Sequence, residues 1–152
     1  MLRPIILFLL LNFGALAIGG LFTGPGVSSD WYAGLDKAPW TPPGWVFGAA
    51  WTTIMTLLAV YMASWWTIAP VKRIVLGQYA VQWVLNVSWN PVFFRGQLAL
   101  PALILIVTLT FLIGYWLFRN AAALKWRSAL LVPYFAWLLI ATSLNAYIVL
   151  NN

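Results

Sequence analysis

The feature that most constrains this chain is a series of long apolar runs separated by short turns that hold nearly all of the charged residues. Of 152 residues, only 8 are Lys or Arg and 2 are Asp or Glu, so charged residues make up 7% of the chain. A soluble domain carries about 25% charged residues, which is what covers its surface with polar groups. We therefore expect lipid to be the solvent for most of this chain.

The form of the apolar runs favours helices. In a bilayer core without water, backbone groups must satisfy one another within helices or a closed barrel. The runs here are continuous and do not alternate with polar residues, which argues against a barrel. We predict an all-α integral membrane protein, a bundle of five transmembrane helices forming one domain over residues 1–152. The predicted helices cover about 4–22, 43–68, 74–94, 98–119 and 126–150, with a loop over 23–42.

Missing residue types exclude several kinds of chemistry. The chain contains no Cys and no His, which excludes disulfides, thiol nucleophiles and haem ligation by His or thiolate, and argues against zinc sites. Its two acidic residues, Asp30 and Asp36, both lie outside the apolar runs. A proton relay or an ion-coupled transporter normally needs an ionisable group within the membrane. We expect no required cofactor, no metal site and no nucleic-acid partner.

The distribution of basic residues predicts an orientation. Two basic residues, Lys37 and Arg95, fall on the side of the 23–42 loop together with both Asp residues. Six lie on the N-terminal side of the predicted bundle, namely Arg3, Lys72, Arg73, Arg119, Lys125 and Arg127. By the positive-inside rule, the N-terminus is expected in the cytoplasm of a bacterial cell, in a multi-pass integral membrane protein.

The stretch from Trp31 to Trp51 is the one place where polar, aromatic and helix-breaking residues crowd together. Pro39, Pro42 and Pro43 prevent a helix from crossing it, because proline lacks an N–H group and clashes with the preceding turn. Four of the 11 Trp residues of the chain also lie there. An aromatic loop at a membrane surface indicates a binding site more than a simple connector.

The third predicted helix carries a polar stripe. Gln78, Gln82, Asn86 and Asn90 are spaced by four residues and therefore share one face. Four carboxamides facing lipid would be costly, so this face is expected to turn inward. It could serve as hydrogen-bonding contacts between helices, as the wall of a pocket, or as both.

The remaining tryptophans have an ordinary explanation. Tryptophans near helix ends form belts at the membrane interface without contacting a ligand. We expect a belt or packing role for Trp45, Trp65, Trp66, Trp116 and Trp126, whereas Trp51, Trp89 and Trp137 lie deeper, on helices that carry other inward residues.

Several segments together resemble the translocator protein family, whose members are also called tryptophan-rich sensory proteins or peripheral-type benzodiazepine receptors. The resemblance covers nearly the whole chain and rests on ordered motifs in three segments. These motifs are Trp31-Tyr32 with Leu35 and Lys37, Pro39 to Gly44, Phe47-Gly48, Trp51-Thr52, Asn86, Trp89, Phe93-Phe94, Pro133-Tyr134, Trp137, Ala141-Thr142 and Leu144-Asn145.

The resemblance implies a five-helix bundle, commonly a homodimer, with a ligand cavity covered by the first loop. Family ligands include porphyrins such as protoporphyrin IX, cholesterol in animal members, and synthetic benzodiazepines. A Lys or Arg near the end of the cholesterol consensus is missing here, which lowers the expectation of a sterol ligand. On matching positions, the ligand-binding residues would be Tyr32, Pro42, Phe47, Trp51, Asn86, Trp89, Trp137 and Ala141.

Three functions stay open on the sequence. The first is a porphyrin receptor with a role in tetrapyrrole transport, sensing or regulation, in which Lys37 or Arg95 would pair with the porphyrin carboxylates. The second is a photoenzyme that degrades porphyrin with light and oxygen, in which Trp51 and Trp137 would be redox partners of the bound ring. No acid–base or metal constellation supports ordinary catalysis. The third is passive transport of a porphyrin or sterol.

Overall fold

The computed structural model describes residues 1–152 and consists of helices joined by short connections, without strands. The all-α prediction is therefore confirmed. The α-helices are α1 (Leu2–Val27), α2 (Asp30–Gly34), α3 (Gly44–Ile68), α4 (Lys72–Asn90), α5 (Ala99–Arg119), α6 (Ala121–Leu124) and α7 (Val132–Asn151), with a π-helical turn at Pro91–Arg95 and a 3₁₀ segment at Lys125–Leu131.

Four helical segments are long and apolar enough to cross a membrane: Leu2–Val27, Gly44–Ile68, Ala99–Arg119 and Ala121–Asn151. The last of these combines α6, the 3₁₀ segment and α7. Helix α4 has 19 residues, which is long enough to span a bilayer core. It is not among the four, and we attribute this to the Gln and Asn residues of its polar stripe, which lower its hydropathy.

The first helix is longer than the sequence predicts. It continues through Pro25 to Val27, whereas the prediction ends it near Phe22. The 23–42 loop is accordingly partly helical, with the end of α1 and all of α2 inside it. Between the two helices, the Ser29 hydroxyl donates to the Gly26 carbonyl at 2.6 Å and accepts from the Tyr32 backbone N–H at 3.2 Å. This capping starts a second helix where the sequence indicated only a break.

Prolines also reshape the third and fifth predicted helices. Helix α4 ends at Asn90, and Pro91 begins a π-helical turn that replaces the predicted α-helical continuation to Phe94. The last helix was predicted from Trp126, but the α-helix begins at Val132 and the 3₁₀ segment precedes it. Pro133 lies in the first turn of α7, where its missing N–H needs no partner, and not at a kink within the helix.

The helices bury the polar stripe of α4 against their neighbours. Helix α1 packs along α3, α5 packs along α7, and α4 lies against both α1 and α5. Trp116 Nε1 donates to Gln78 Oε1 at 2.7 Å, and Gln82 Nε2 donates to the Tyr134 hydroxyl at 3.0 Å. Asn90 Oδ1 accepts from Thr23 at 2.7 Å. The inward orientation is confirmed, and three of the four side chains hold helices together.

A further polar contact joins three helices in the interior. Asn12, in the apolar run of α1, donates to the Met55 carbonyl of α3 at 2.9 Å and accepts from the Tyr79 hydroxyl of α4 at 2.7 Å. Asn12 is buried. A carboxamide within an otherwise apolar span is a signal in the sequence for such a contact.

The up-and-down course of the long helices gives the bundle two distinct ends. The end that we call the lid end holds the connection between α1 and α3, the π-helical turn and the C-terminus. The opposite end, called the basic end, holds the N-terminus and the connections that follow α3 and α5. Both acidic residues belong to the lid end, and six basic residues belong to the basic end: Arg3, Lys72, Arg73, Arg119, Lys125 and Arg127.

Candidate ligand site

Residues 28–43, which we call the lid, cover the lid end of the bundle. The first part of the lid is held by aromatic contacts. Trp31 meets Phe93 edge to face, with ring centroids 5.4 Å apart. Tyr32 lies against Phe94 at 5.7 Å and Phe93 at 6.5 Å. The π-helical turn presents both phenylalanines to the lid, so the irregular backbone at Pro91 also shapes the surface on which the lid rests.

The second half of the lid is attached to the C-terminal part of α7. The Asn152 side chain accepts from the Asp36 backbone N–H at 2.9 Å and donates to the Asp36 carbonyl at 3.2 Å. Trp40 Nε1 donates to the Ser143 hydroxyl at 3.1 Å, and the Trp40 ring meets Tyr147 at 5.5 Å. The lid is thus held by a few polar bonds and ring contacts at its surface.

Lys37 and Tyr32 form a polar element within the lid. The Lys37 ammonium lies 4.6 Å from the centroid of the Tyr32 ring and donates to the Leu35 carbonyl at 3.3 Å. Burial raises the pKa of the Tyr32 phenol above its usual value, because the charged phenolate is disfavoured away from water. Tyr32 is therefore neutral at physiological pH and can offer an O–H donor.

Below the lid, aromatic side chains of α3 and α7 meet edge to face. Phe47 contacts Trp137 with ring centroids 5.3 Å apart. One turn deeper, Trp51 contacts Tyr134 at 5.9 Å. The structure thus brings together three of the predicted site residues, Phe47, Trp51 and Trp137, and adds Tyr134 to them. Tyr134 and Trp137 are three residues apart and therefore share one face of α7.

Helix α4 contributes Trp89 and Asn86 on its inward side. The Trp89 ring stacks on Phe93 at 4.8 Å, and its Nε1 donates to Asn145 Oδ1 of α7 at 3.1 Å. Trp89 also packs against the main core, so it bridges the lid contacts and the bundle interior. Asn86 is buried one turn earlier on α4.

Two buried polar atoms in this region have no hydrogen-bond partner within the chain. They are Gln82 Oε1 and Trp137 Nε1. Gln82 reaches Tyr134 through its amide group, so its unpaired carbonyl belongs to the same neighbourhood as the Trp51–Tyr134 contact. A buried polar group without a partner costs about 1–3 kcal/mol, which makes both atoms natural contacts for a ligand.

The other predicted site residues are more peripheral. Pro42 is half-buried in the lid, and Ala141 is half-buried beside the main core. Tyr32 rests on Phe93 and Phe94 and makes no ring contact with Trp51 or Trp137. The predicted residues therefore form two groups, one under the lid around Tyr32 and one between α3 and α7, with Trp89 between them.

Two cavities, of about 300 Å³ and about 220 Å³, lie at the basic end, and no predicted site residue lines either of them. The interior below the lid is occupied by the aromatic pairs themselves. A bulky ligand would therefore need the lid and these side chains to move before it could enter.

Comparisons with known proteins identify the family of the chain. The family model described as TspO/MBR family matches residues 6–150. The chain belongs to the TspO/MBR family. It is 35% identical to "Tryptophan-rich protein TspO" of Archaeoglobus fulgidus over 142 residues, covering 88% of this chain and 87% of the relative. It is 33% identical to "Tryptophan-rich sensory protein" of Cereibacter sphaeroides over 135 residues, covering 87% and 81%.

A human relative extends the comparison to animals. The chain is 34% identical to "Translocator protein" of Homo sapiens over 125 residues, covering 76% of this chain and 70% of the relative. The predicted family is thus confirmed. Membership in the TspO/MBR family, together with several long apolar helices, supports a multi-pass integral membrane protein with a translocator or sensory role.

Proposed function

We propose that this protein is a membrane receptor for porphyrins such as protoporphyrin IX and for related flat hydrophobic ligands, acting in tetrapyrrole transport, sensing or regulation. The observation that carries the proposal is the pair of unpaired buried atoms, Trp137 Nε1 and Gln82 Oε1, among aromatic rings of α3 and α7. A ligand that offers an acceptor to Trp137 Nε1 and a donor to Gln82 Oε1 would remove the free-energy cost of leaving these two atoms unpaired.

The shape of the ligand follows from the aromatic groups. A porphyrin is a flat apolar macrocycle whose faces can stack on aromatic rings, with carboxylates on one edge. Offset contacts between aromatic faces contribute about 0.5–1.5 kcal/mol each beyond area burial. Phe47, Trp51 and Trp137 supply such faces, because their edge-to-face pairs can separate to admit a planar ring.

The porphyrin carboxylates would be held at the lid end. Lys37 and Arg95 are the two basic residues there, in the lid and in the π-helical turn. Both lie near the level expected for membrane headgroups, where an ion pair is formed without burying a charge in hydrocarbon. This orients the macrocycle with its acidic edge toward the lid and its apolar body toward Trp51.

The proposal includes a membrane arrangement. Five spans are formed if α4 crosses with its polar stripe shielded by α1 and α5, and the basic end faces the cytoplasm. Two copies would form a homodimer. Gly44 and Gly48 of α3 are exposed and have open space where a side chain would be, so this face of α3 is free for a second copy.

The binding proposal is tested by titrating protoporphyrin IX into the purified protein in the dark and following the quenching of Trp fluorescence. Trp51→Ala and Trp137→Phe are each expected to weaken binding by about five-fold or more, which corresponds to about 1 kcal/mol. Trp126→Phe is the control, because Trp126 is 71% exposed at the basic end. Equal affinities for all three variants and the parent protein would reject the site.

The same samples distinguish the photochemical alternative, which rests on Trp51 and Trp137 as redox partners. Under light and oxygen, a photoenzyme yields a product beyond the photobleaching of free porphyrin, and a receptor does not. Passive transport is tested separately by porphyrin uptake into proteoliposomes. Uptake equal to that of protein-free liposomes excludes the transport role and leaves the receptor role standing.

A further inference from the structure

One of the two cavities at the basic end lies far from the lid, and the proposed porphyrin site does not use it. Its volume is about 300 Å³, within the range of small-molecule sites. It lies where the ends of α3 and α5 meet the second turn of α4 and the short helix α6. Its polar and aromatic lining comprises Trp65, Gln78, Tyr115, Arg119 and Asn120.

A buried network fixes the wall of this cavity. Trp116 is fully buried and donates from Nε1 to Gln78 Oε1 at 2.7 Å. The Tyr61 hydroxyl donates to the Trp116 carbonyl at 3.3 Å and accepts from Asn120 Nδ2 at 2.8 Å. Since an indole N–H can only donate, Gln78 must present its carbonyl oxygen to Trp116. The Gln78 amide NH₂ therefore remains as a donor on a residue that lines the cavity.

The charge at this end favours an anion. Both acidic residues lie at the lid end, so Arg119 has no carboxylate side chain of its own chain within reach. Lys72, also at the basic end, is already used, because its ammonium donates to the carbonyls of Trp66, Thr67 and Ala69 at the end of α3. Arg119 is exposed in the last turn of α5 and is the cation that lines the cavity.

The apolar side of the cavity opens toward the region that hydrocarbon would occupy. Ile68 and Tyr115 line the cavity and are 46% and 55% exposed. Phe111 and Phe118 lie four residues before and three residues after Tyr115 on the same face of α5, and both are exposed. An apolar chain attached to a bound headgroup could follow this face of α5.

We propose that the cavity binds the phosphate headgroup of an anionic phospholipid. The Arg119 guanidinium would donate two hydrogen bonds to the phosphate, while the Gln78 amide and the Tyr115 hydroxyl would donate to its remaining oxygens. The acyl chains would lie along the exposed aromatic face of α5. Basic pockets between membrane helices recognise lipid headgroups by this combination of charge and apolar contact.

The test uses the full-length protein in phosphatidylcholine nanodiscs with increasing amounts of phosphatidylglycerol. The retained phosphatidylglycerol is counted by native mass spectrometry after release from the discs. Arg119→Gln is expected to lower retention about five-fold, the effect of one cation near a lipid surface. Tyr115→Phe is expected to lower it less. Arg73→Gln is the matched control, because it removes the same charge at the same end from a residue outside the cavity lining.

Two outcomes would overturn the proposal. Equal losses for Arg119→Gln and Arg73→Gln would show a general attraction of anionic lipid to the basic end and no site in the cavity. Displacement of phosphatidylglycerol by an equal or lower concentration of glycerol phosphate would show that the acyl chains add nothing to binding, and that the cavity takes a soluble phosphate and not a lipid. Dark porphyrin titration of Arg119→Gln supplies an independent check of folding, since Arg119 is remote from the lid.

Discussion

Gly26 lies where α1 meets the π-helical turn beneath the lid, and a side chain is excluded there. A Cβ atom at this position would overlap the Phe94 ring, which in turn supports Tyr32. Gly20, six residues earlier in α1, is exposed and has open space where a side chain would be. The two glycines therefore form a matched pair, in which one is required by packing and the other is not.

We predict that Gly26→Ala destabilises the protein by about 1–3 kcal/mol, as overpacking of a core does. Gly20→Ala is expected to leave stability unchanged or to raise it by up to about 1 kcal/mol, because alanine favours the helix. Thermal unfolding in detergent measures both. Similar losses of thermal stability in the two variants would contradict the role assigned to the Gly26–Phe94 contact.

Two tryptophans of the candidate site differ in the state of their N–H groups. Trp89 Nε1 donates to Asn145, whereas Trp137 Nε1 has no partner. We predict that Trp89→Phe lowers the free energy of unfolding by about 1–3 kcal/mol, because it leaves the side-chain oxygen Oδ1 of Asn145 unpaired. Trp137→Phe is expected to cost less and to weaken porphyrin binding. Chemical denaturation and dark titration distinguish the two effects, and the reverse order of stabilities would refute the prediction.

At the scale of elements, the lid is attached to the bundle by contacts that can be broken one at a time. Asn152 bonds to both backbone groups of Asp36 and so connects the lid to the end of α7. Its neighbour Asn151 bonds only within α7, to the Tyr147 carbonyl. The lid is thus expected to open by local loss of a few surface bonds, without unfolding of the helices.

We predict that Asn152→Ala increases hydrogen exchange of backbone amides in residues 36–41 and speeds porphyrin association in the dark. The reason is that ligand entry requires the lid to move away from α7. Asn151→Ala is the control and is expected to leave both rates unchanged. If lid exchange is the same in Asn152→Ala as in the parent protein, the Asp36–Asn152 contact does not restrain the lid.

At the scale of the whole molecule, the path of the chain through the membrane is the property to test. The chain has no Cys, so single cysteines can be introduced for labelling without a background. Ser28 and Leu98 lie at the lid end, and Val71 and Ala122 lie at the basic end, all of them exposed. The charge asymmetry predicts that the basic end faces the cytoplasm.

We predict that Ser28→Cys and Leu98→Cys react with a membrane-impermeant maleimide in intact cells. Val71→Cys and Ala122→Cys are expected to react only after permeabilisation. If α4 did not cross the membrane, Leu98→Cys and Val71→Cys would react from the same side. That labelling pattern would mean four spans in place of five. If instead all four cysteines reacted from the side opposite to the predicted one, only the orientation would be overturned.

The sequence by itself determined the class of protein, the approximate positions of its five long helical segments and the inward face of the third. Scarcity of charge forces the chain into lipid, and lipid forces the backbone into helices. The stripe from Gln78 to Asn90 and the pairing of Phe47 and Trp51 on one face follow from helical periodicity alone. The ordered motifs from Trp31 to Asn145 were enough to indicate the family that the comparisons confirm.

Only the tertiary structure decided how these faces are used. It extended α1 through Pro25, because a helix in a packed bundle tolerates one lost hydrogen bond, and it placed Gly26 against Phe94. It showed Trp116 to be a fully buried partner of Gln78, and it left the N–H of Trp137 unpaired. Such outcomes depend on which atoms of distant helices meet, and periodicity within one helix carries no information about that.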